Sequence, residues 1–531
     1  MPLQDHYDVL VVGAGLSGID AGYRIQTMCP GADYAILEAR ESLGGTWDLF
    51  RYPGIRSDSD MFTLGLPFEP WTGEKSIADG ADILAYLRDT AAKHGIDKRI
   101  VHRTRVTAAD WSSADARWTL TVQTPEGVRE VSADFVYLCS GYYNYDDPYR
   151  PDIPGLDDFA GQVIHPQFWP ADGVDVEGRN VTVIGSGATA MTLVPALARQ
   201  GAHVTMLQRS PTYLISLPAR DALAAAARKL LPAKRAYQAI RMKNAVTSLA
   251  FYEFCRRAPG AATKMLRAGV ARQLKGGSVG MAHFTPRYKP WDQRLCVVPD
   301  ADLFQAIESH DVDIVTDTIE RVDPAGIRTS SGTQIASDII VTATGLNLLV
   351  AGGATIRIDG AECDPGERYI YRGLMLECVP NAAICIGYTN ASWTLRADLS
   401  AKYFCTFVNH VRQHGYAYGY PTVEDAMPPT PALDLAAGYV QRSLAALPKQ
   451  GDRKPWFLKQ NYLADRRDAR KADVTADMTF VRPGEVRLPQ SDLHTAAPAP
   501  SSPVTASSPS DGGIAPSMGE ETVSREAERV G

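Results

Sequence analysis

The sequence predicts an α/β protein carrying two βαβ units and a helical insertion. Three observations predict it. Residues 7–39, "YDVLVVGAGLSGIDAGYRIQTMCPGADYAILEA", read as a short apolar strand, a glycine-rich turn, a helix and a second strand. Residues 180–210, "NVTVIGSGATAMTLVPALARQGAHVTMLQRS", repeat that order, so the unit recurs within the chain. Residues 213–280 are rich in Ala, Arg and Lys at helical spacing, as in "ALAAAARKLL" and "AYQAIRMKNAV", and interrupt the α/β pattern.

The remaining elements follow in chain order. After the second strand comes "RESLGGTWDLFRYPGIRSDSD", a loop too long to be idle in a compact domain. "ADILAYLRDTAAKHG" has helical periodicity, and "RVTAADW", "RWTLTVQT" and "VREVSADFVYLCSG" read as strands. The Pro-rich "NYDDPYRPDIPG" marks a boundary. The pattern resumes at "RLCVVPDADLFQAI" and "SDIIVTATGL", and "AAICIGYTNASW" reads as a strand running into a helix. From about Ser491 the chain is Ala, Pro, Ser and Gly, a composition that buries too little apolar surface to offset ordering entropy. These readings divide the chain into residues 1–147, residues 148–340 with the insertion at about 213–290, residues 341–485 that resume the first domain, and a disordered tail over 486–531.

Composition narrows the function. The 531 residues exceed one simple core, and 45% apolar with 22% charged residues is ordinary for a globular protein. A net charge of −7 argues against a nucleic-acid partner. The 8 cysteines are scattered and none forms a C-x-x-C pair, which removes a dithiol redox motif and a spaced zinc site. Scattered thiols suit a reducing cytoplasm. The N-terminus lacks signal-peptide character, and no uncharged run reads as an integral membrane segment. The basic amphipathic stretch 213–280 is compatible with resting on an anionic membrane surface, second to a plain cytoplasmic location.

Each βαβ unit carries a nucleotide fingerprint. In the first, Gly13-x-Gly15-x-x-Gly18 follows a strand. Gly13 permits the tight turn, Gly15 lets the backbone approach a pyrophosphate, and Gly18 lets helix and strand pack closely. The helix N-terminus then offers free N–H groups to the phosphates. Glu38 ends the second strand about 20 positions further on, where an acid accepts from ribose hydroxyls. The second fingerprint is Gly185-x-Gly187-x-x-Ala190, and its matching strand ends in Arg209 and Ser210 instead of an acid. A carboxylate would repel a 2′-phosphate, whereas Arg pairs with it, so NADPH is expected there; the alternative is a solvated strand-end arginine. Two unlike sites in one chain suggest FAD in the first domain and NADPH in the second.

Reduced flavin must then pass its electrons on. A disulfide acceptor needs a redox Cys pair, which is missing, so O2 is the remaining acceptor. "FAGQVIHPQFWP" places Phe159, Gly161, His165, Trp169 and Pro170 in the pattern F-x-G-x-x-x-H-x-x-x-W-P, and "GGTWDLFRYPGIRSD" places Gly44, Gly45, Trp47, Tyr52, Pro53, Gly54 and Asp58 in a second pattern. With these motifs the chain, over residues 5–480, resembles the Baeyer–Villiger monooxygenases, class B flavoprotein enzymes. The stretches "LCSGYYNYD" and "PWDQRLC" are most similar to their ethionamide-activating branch in actinobacteria.

The resemblance implies an FAD- and NADPH-dependent monooxygenase that converts ketones to esters or lactones through a C4a-peroxide of the flavin. Thioethers and thioamides would be further substrates. An N- or S-oxygenating flavin monooxygenase with little ketone activity is the alternative, against which Trp169 counts. Partners would be O2 and a small ketone or sulfide, and the chain is compatible with an oligomer. By resemblance Arg294 is the active-site cation and Asp58 its carboxylate partner; a fixed guanidinium suits charge building on a substrate oxygen. FAD would be held by Ser17, Glu38, Thr46, Trp47, Asp48, Leu49, Asp58 and the backbone of Val106. NADP would lie on Arg56, Ser57, Asp58, the run Gly185, Ser186, Gly187, Ala188, Thr189, Ala190 and Met191, and on Arg209 and Ser210. Many relatives carry Lys before the active-site Arg; Gln293 stands here, which leaves more of the phosphate recognition to Arg209 and Ser210. His165 falls in a Gly- and Pro-containing connector where hinges belong, and is read as coupling domain motion rather than performing chemistry.

Overall fold

The computed structural model describes residues 1–274, 279–433 and 435–487. The tail expected from residue 486 lies, after Arg487, outside the described residues. Strand His6–Val12 forms where Val9, Leu10 and Val11 bury completely, the signature of a strand covered on both faces. It sits inside a nine-stranded sheet. On one side it pairs in parallel with Tyr34–Leu37, which pairs in turn with Ile100–Val101. On the other it pairs in parallel with the long strand Gly127–Leu138. The early half of that strand continues through Arg117–Thr124 and Arg105–Ser112, both antiparallel, out to Thr355–Ile358. Its late half pairs with Ala382–Ile384, so residues after 340 complete this first sheet. Helix Leu16–Met28 buries its Ile19, Ala21 and Ile25 face and packs beside helix Trp393–Gln413.

The second sheet has five parallel strands in the order Val312–Thr316, His203–Gln208, Asn180–Ile184, Ile339–Thr342, Gln162–Ile164. Its edge strand corrects the reading of "FAGQVIHPQFWP" as a connector. Gln162, Val163 and Ile164 face Ile339, Ile340 and Val341 in register, so a quarter of that motif is sheet. Gly161 is required there sterically, since a Cβ would lie 2.3 Å from the Asp338 carbonyl oxygen.

The insertion also differs from its expectation. Its opening residues Leu214–Leu217 form a strand parallel to Cys296–Pro299, and only then come helices Ala222–Leu230, Ala233–Arg257 and Pro259–Leu274. Alternation in "YLISL" was masked by the Ala-rich run that follows it. The 25-residue helix is not a free solvated surface either. Buried Arg241 donates from Nη1 to the carbonyls of Phe62 (2.8 Å), Thr63 (3.0 Å) and Gly65 (2.6 Å), and Asn244 donates to Asp60 at 2.7 Å. Arg241 thereby satisfies the C-terminal carbonyls of the one-turn helix Met61–Leu64. Truncation would strand buried acceptors and open a void. Arg241→Ala is expected to cost on the order of 3 kcal/mol, read as a lower thermal midpoint.

Among the described residues no helix is long and apolar enough to cross a membrane.

Candidate active site

A cavity of about 410 Å³ opens at the carboxyl ends of the first sheet's strands, against the N-terminus of helix Leu16–Met28. The first fingerprint builds one wall. Gly13 has φ +102°, and a Cβ there would stand 2.7 Å from the Cys139 carbonyl oxygen. At Gly18 a Cβ would stand 1.8 Å from the Gly13 carbonyl oxygen. Gly15 is different: its nearest neighbour would be Gly45 Cα at 3.6 Å, so this glycine leaves room facing the cavity. Buried Glu38 ends the adjoining strand, its Oε2 accepting from the Ala14 N–H (2.7 Å) and Oε1 from the Arg40 N–H (2.8 Å). Both oxygens are fixed, each retains a lone pair, and Glu38 lines the cavity. Ser17 Oγ accepts from the Trp393 indole at 2.8 Å.

The long loop supplies Thr46 and Trp47 to the wall, but the other half of "TWDL" turns away. Asp48 is buried in a clamp, accepting from Arg40 Nη2 at 2.7 Å and Nε at 3.1 Å. Burial pushes its carboxyl up, but hydrogen bonds from Arg40 and Ser42 prevail and hold it below the usual range. Leu49 packs on the core of the second unit. Periodicity could not reveal this, because one helical turn sends neighbouring side chains to opposite sides. Val106 lines the cavity beside Thr104 and Arg105, at an irregularity of the ladder before Ala108.

From the second unit, Ala188 and Thr189 reach the same cavity. Ala190 and Met191 point into the core. Gly185 (φ +141°) makes the turn, Ser186 Oγ donates to the Ser210 carbonyl at 2.9 Å, and a Cβ at Gly187 would meet nothing within 4 Å. Arg209 is exposed just beyond strand His203–Gln208 and forms no ion pair among the described residues. Arg56 lines the cavity, but its guanidinium is engaged: Nη1 donates to Asp302 Oδ2 at 2.5 Å and Nη2 to Asp302 Oδ1 at 3.3 Å. Ser57 Oγ accepts from the Ser59 N–H at 3.0 Å, and Asp58 lies beside it on the wall.

Arg294, from the turn before strand Cys296–Pro299, faces this cavity with Asp58. No direct hydrogen bond joins them; they interact through space. Burial opposes the charge of Arg294, yet Asp58 and the nearby Tyr142, Tyr439 and Tyr143 raise its pKa above the ordinary value. Tyrosines are neutral near pH 7, so Asp58 is the compensating charge there. Arg294 therefore stands as a permanent cation at the junction of both units. His165 Nδ1 accepts from the Gln167 N–H at 3.2 Å, its buried Nε2 finds no hydrogen-bond partner among the described residues, and burial lowers its pKa.

Sequence reasoning missed an aromatic group around the guanidinium. Tyr142 stacks on Trp393 (5.1 Å between centroids, 25° between planes), and its hydroxyl lies 3.1 Å from that of Tyr143. The repeated tyrosines of "GYYNYD", directly after a strand that ends at the fingerprint, were the available signal. Tyr439, from helix Gly438–Ser443, gave none. These residues separate the large cavity from a smaller apolar one of about 40 Å³ that Arg294, Tyr142 and Tyr439 share with Ile386, Leu435 and Val440.

The open space at Gly15 and Gly187, the fixed acid at Glu38 and the free cation at Arg209 fit two dinucleotides. The family described as "Pyridine nucleotide-disulphide oxidoreductase" matches residues 10–229. The FAD-containing monooxygenase EthA of Mycobacterium tuberculosis (strain H37Rv) is 51% identical over 478 residues, covering 89% of this chain and 97% of the relative. EthA of Mycolicibacterium smegmatis is 50% identical over 467 residues, covering 88% and 95%. In fold the chain is similar to an oxidized steroid monooxygenase bound to NADP (TM-score 0.70, 24% identity, 90% of this chain and 100% of that one). It is likewise similar to a cyclohexanone monooxygenase bound to ε-caprolactone (TM-score 0.70, 21% identity, 90% and 99%).

Proposed function

The chain belongs to the FAD-containing monooxygenases of class B, the Baeyer–Villiger-like type, and on that premise we propose that it spends NADPH and O2 to insert one oxygen atom beside a ketone carbonyl, giving an ester or lactone. The observation that carries this reading is Arg294, a half-buried cation held between a flavin cradle and an apolar pocket. Bound FAD would accept a hydride from NADPH and activate O2. The balance is ketone, O2, NADPH and a proton giving ester, NADP⁺ and water.

The chain's own residues have separable tasks in this proposal. Gly15 and the first helix bind the FAD pyrophosphate on a turn that Gly13 and Gly18 shape, and Glu38 accepts from its ribose. Thr46, Trp47 and the Val106 backbone line the rest of that cradle, and Ser17, tied to Trp393, positions its floor. Ala188 and Thr189, with the open turn at Gly187, receive the NADPH pyrophosphate. Arg209 and Ser210 take its 2′-phosphate. Arg56 supports that wall through Asp302 and is not a free phosphate ligand. Arg294 stabilises negative charge on the carbonyl oxygen, and Asp58 offsets the cost of burying it. Thioethers and thioamides fit the same pocket because they too are neutral.

Incubating the purified yellow protein with NADPH, O2, a methyl ketone and a thioether, and identifying products, tests the reading. Ester from the ketone supports it. Sulfoxide alone would move the chain to the S-oxygenating alternative, and NADPH consumption yielding only hydrogen peroxide would sink both. Arg209→Ala tests the coenzyme assignment. Loss of a charge-assisted phosphate contact is expected to raise KM for NADPH about tenfold to a hundredfold and leave KM for NADH within about twofold.

A further inference from the structure

Beyond Arg294, we infer that the Tyr439 hydroxyl is a second donor to the substrate's carbonyl oxygen, so that guanidinium and phenol together form the oxyanion site; this rests on the ketone-oxygenating reading above. Two segments far apart in sequence make the pair. The turn 290–295 brings Arg294, and helix Gly438–Ser443 brings Tyr439. They are fastened to one another: the Ala436 N–H donates to the Asp292 carbonyl at 2.8 Å. Beneath Tyr439 a small separate core of Leu435, Val440 and Leu447 holds the helix in place, with Tyr439 packed on it. Position is therefore set by packing on both sides.

The hydroxyl is available. Tyr439 makes no hydrogen bond to another described residue, whereas the Tyr142 hydroxyl beside it is already matched to Tyr143. Both Arg294 and Tyr439 line the small cavity, whose remaining wall is chiefly aliphatic and aromatic. In such surroundings a substrate's hydrocarbon arm fills the apolar part and its one polar atom turns to the polar end. Burial, and then Tyr142, push the Tyr439 phenol up to about 12, with Arg294 opposing. It stays protonated through the neutral range and can donate. A phenol hydrogen bond is not consumed in the reaction: one O2 atom enters the C–C bond, the other leaves as water, and Tyr439 returns unchanged.

Sulfur oxidation separates this role from packing. A ketone gains negative charge on its carbonyl oxygen as the C–O bond forms, and a thioether has no such oxygen. With 2-octanone and thioanisole as probes, Tyr439→Phe is expected to lower kcat for ester formation about tenfold to a hundredfold, the scale for one lost oxyanion donor. Sulfoxide formation and the rate of flavin bleaching by NADPH should stay within about twofold. Equal falls in ester and sulfoxide would make Tyr439 a packing residue and overturn the inference, as would unchanged ester formation. If the Phe variant does not hold flavin, Tyr439→Gln and Tyr439→Leu are compared. Gln keeps a donor and should retain more ester formation than Leu; parity overturns the inference. Absence of ester from the unaltered enzyme overturns the ketone reading itself and this inference with it, and is recognised without any variant.

Discussion

Arg294→Ala should yield an enzyme that binds flavin and lets NADPH bleach it at a rate within about twofold of the unaltered protein, yet forms ester about a hundredfold to a thousandfold more slowly. The split follows from where the residue stands. The FAD cradle is made of Gly13, Gly15, Gly18, Glu38 and the loop at Thr46 and Trp47, and none of these depends on the guanidinium for its hydrogen bonds. Arg294 sits where the flavin cavity meets the small apolar pocket. Its absence removes charge stabilisation at the reacting carbonyl and leaves the hydrogen bonds that fix Glu38 intact. NADPH oxidation then continues with hydrogen peroxide as the product. Arg294→Lys sharpens the test: the charge remains, but an ammonium is a compact point charge without the planar fork. It should restore only a minor part of ester formation. Stopped-flow flavin absorbance with product chromatography reads both halves. Full ester formation by the Ala variant would remove Arg294 from the chemistry.

The parts of this site that sequence reveals are those where backbone geometry forces residue identity. Gly18 has to be glycine because the Gly13 carbonyl lies against its Cα, and Gly13 because of its positive φ. Such constraints leave a fixed spacing. The strand–turn–helix order is equally legible, since burial on both faces demands an unbroken apolar run such as "VLVV". The partners of Asp48 and Arg56 were not legible, because motif membership says where a residue is, not what it bonds. Asp48 is committed to Arg40, and Arg56 to Asp302, which is 246 residues away in sequence. Arg241 and Tyr439 were invisible for a related reason. Each acts on a segment distant in the chain, and a helical insertion or a short helix with ordinary composition carries no trace of what it docks against. The edge strand Gln162–Ile164 was hidden by length: three residues give no alternation to count.

The glycines of the first fingerprint have two separable duties, and alanine should resolve them. At Gly15 a methyl group meets only the Gly45 backbone, Cα at 3.6 Å and N at 3.9 Å, ordinary van der Waals distances. The fold tolerates it, and what it fills is the space facing the cavity. At Gly18 the same methyl would lie 1.8 Å from the Gly13 carbonyl oxygen, a distance no side-chain rotation relieves because both partners are backbone. Helix Leu16–Met28 would have to move off strand His6–Val12 in the middle of a fully buried layer. Gly15→Ala should therefore leave the flavin-free protein's thermal midpoint within about 2 °C while weakening FAD binding about tenfold or more, since the pyrophosphate can no longer approach the backbone. Gly18→Ala should destabilise the flavin-free protein itself by about 3 kcal/mol or more, a typical cost of forced overpacking. Apoprotein melting measured beside FAD titration distinguishes them. If both variants melt alike and differ only in flavin affinity, the third glycine is a ligand contact and not a packing requirement, and the close approach of helix and strand is not what fixes its identity.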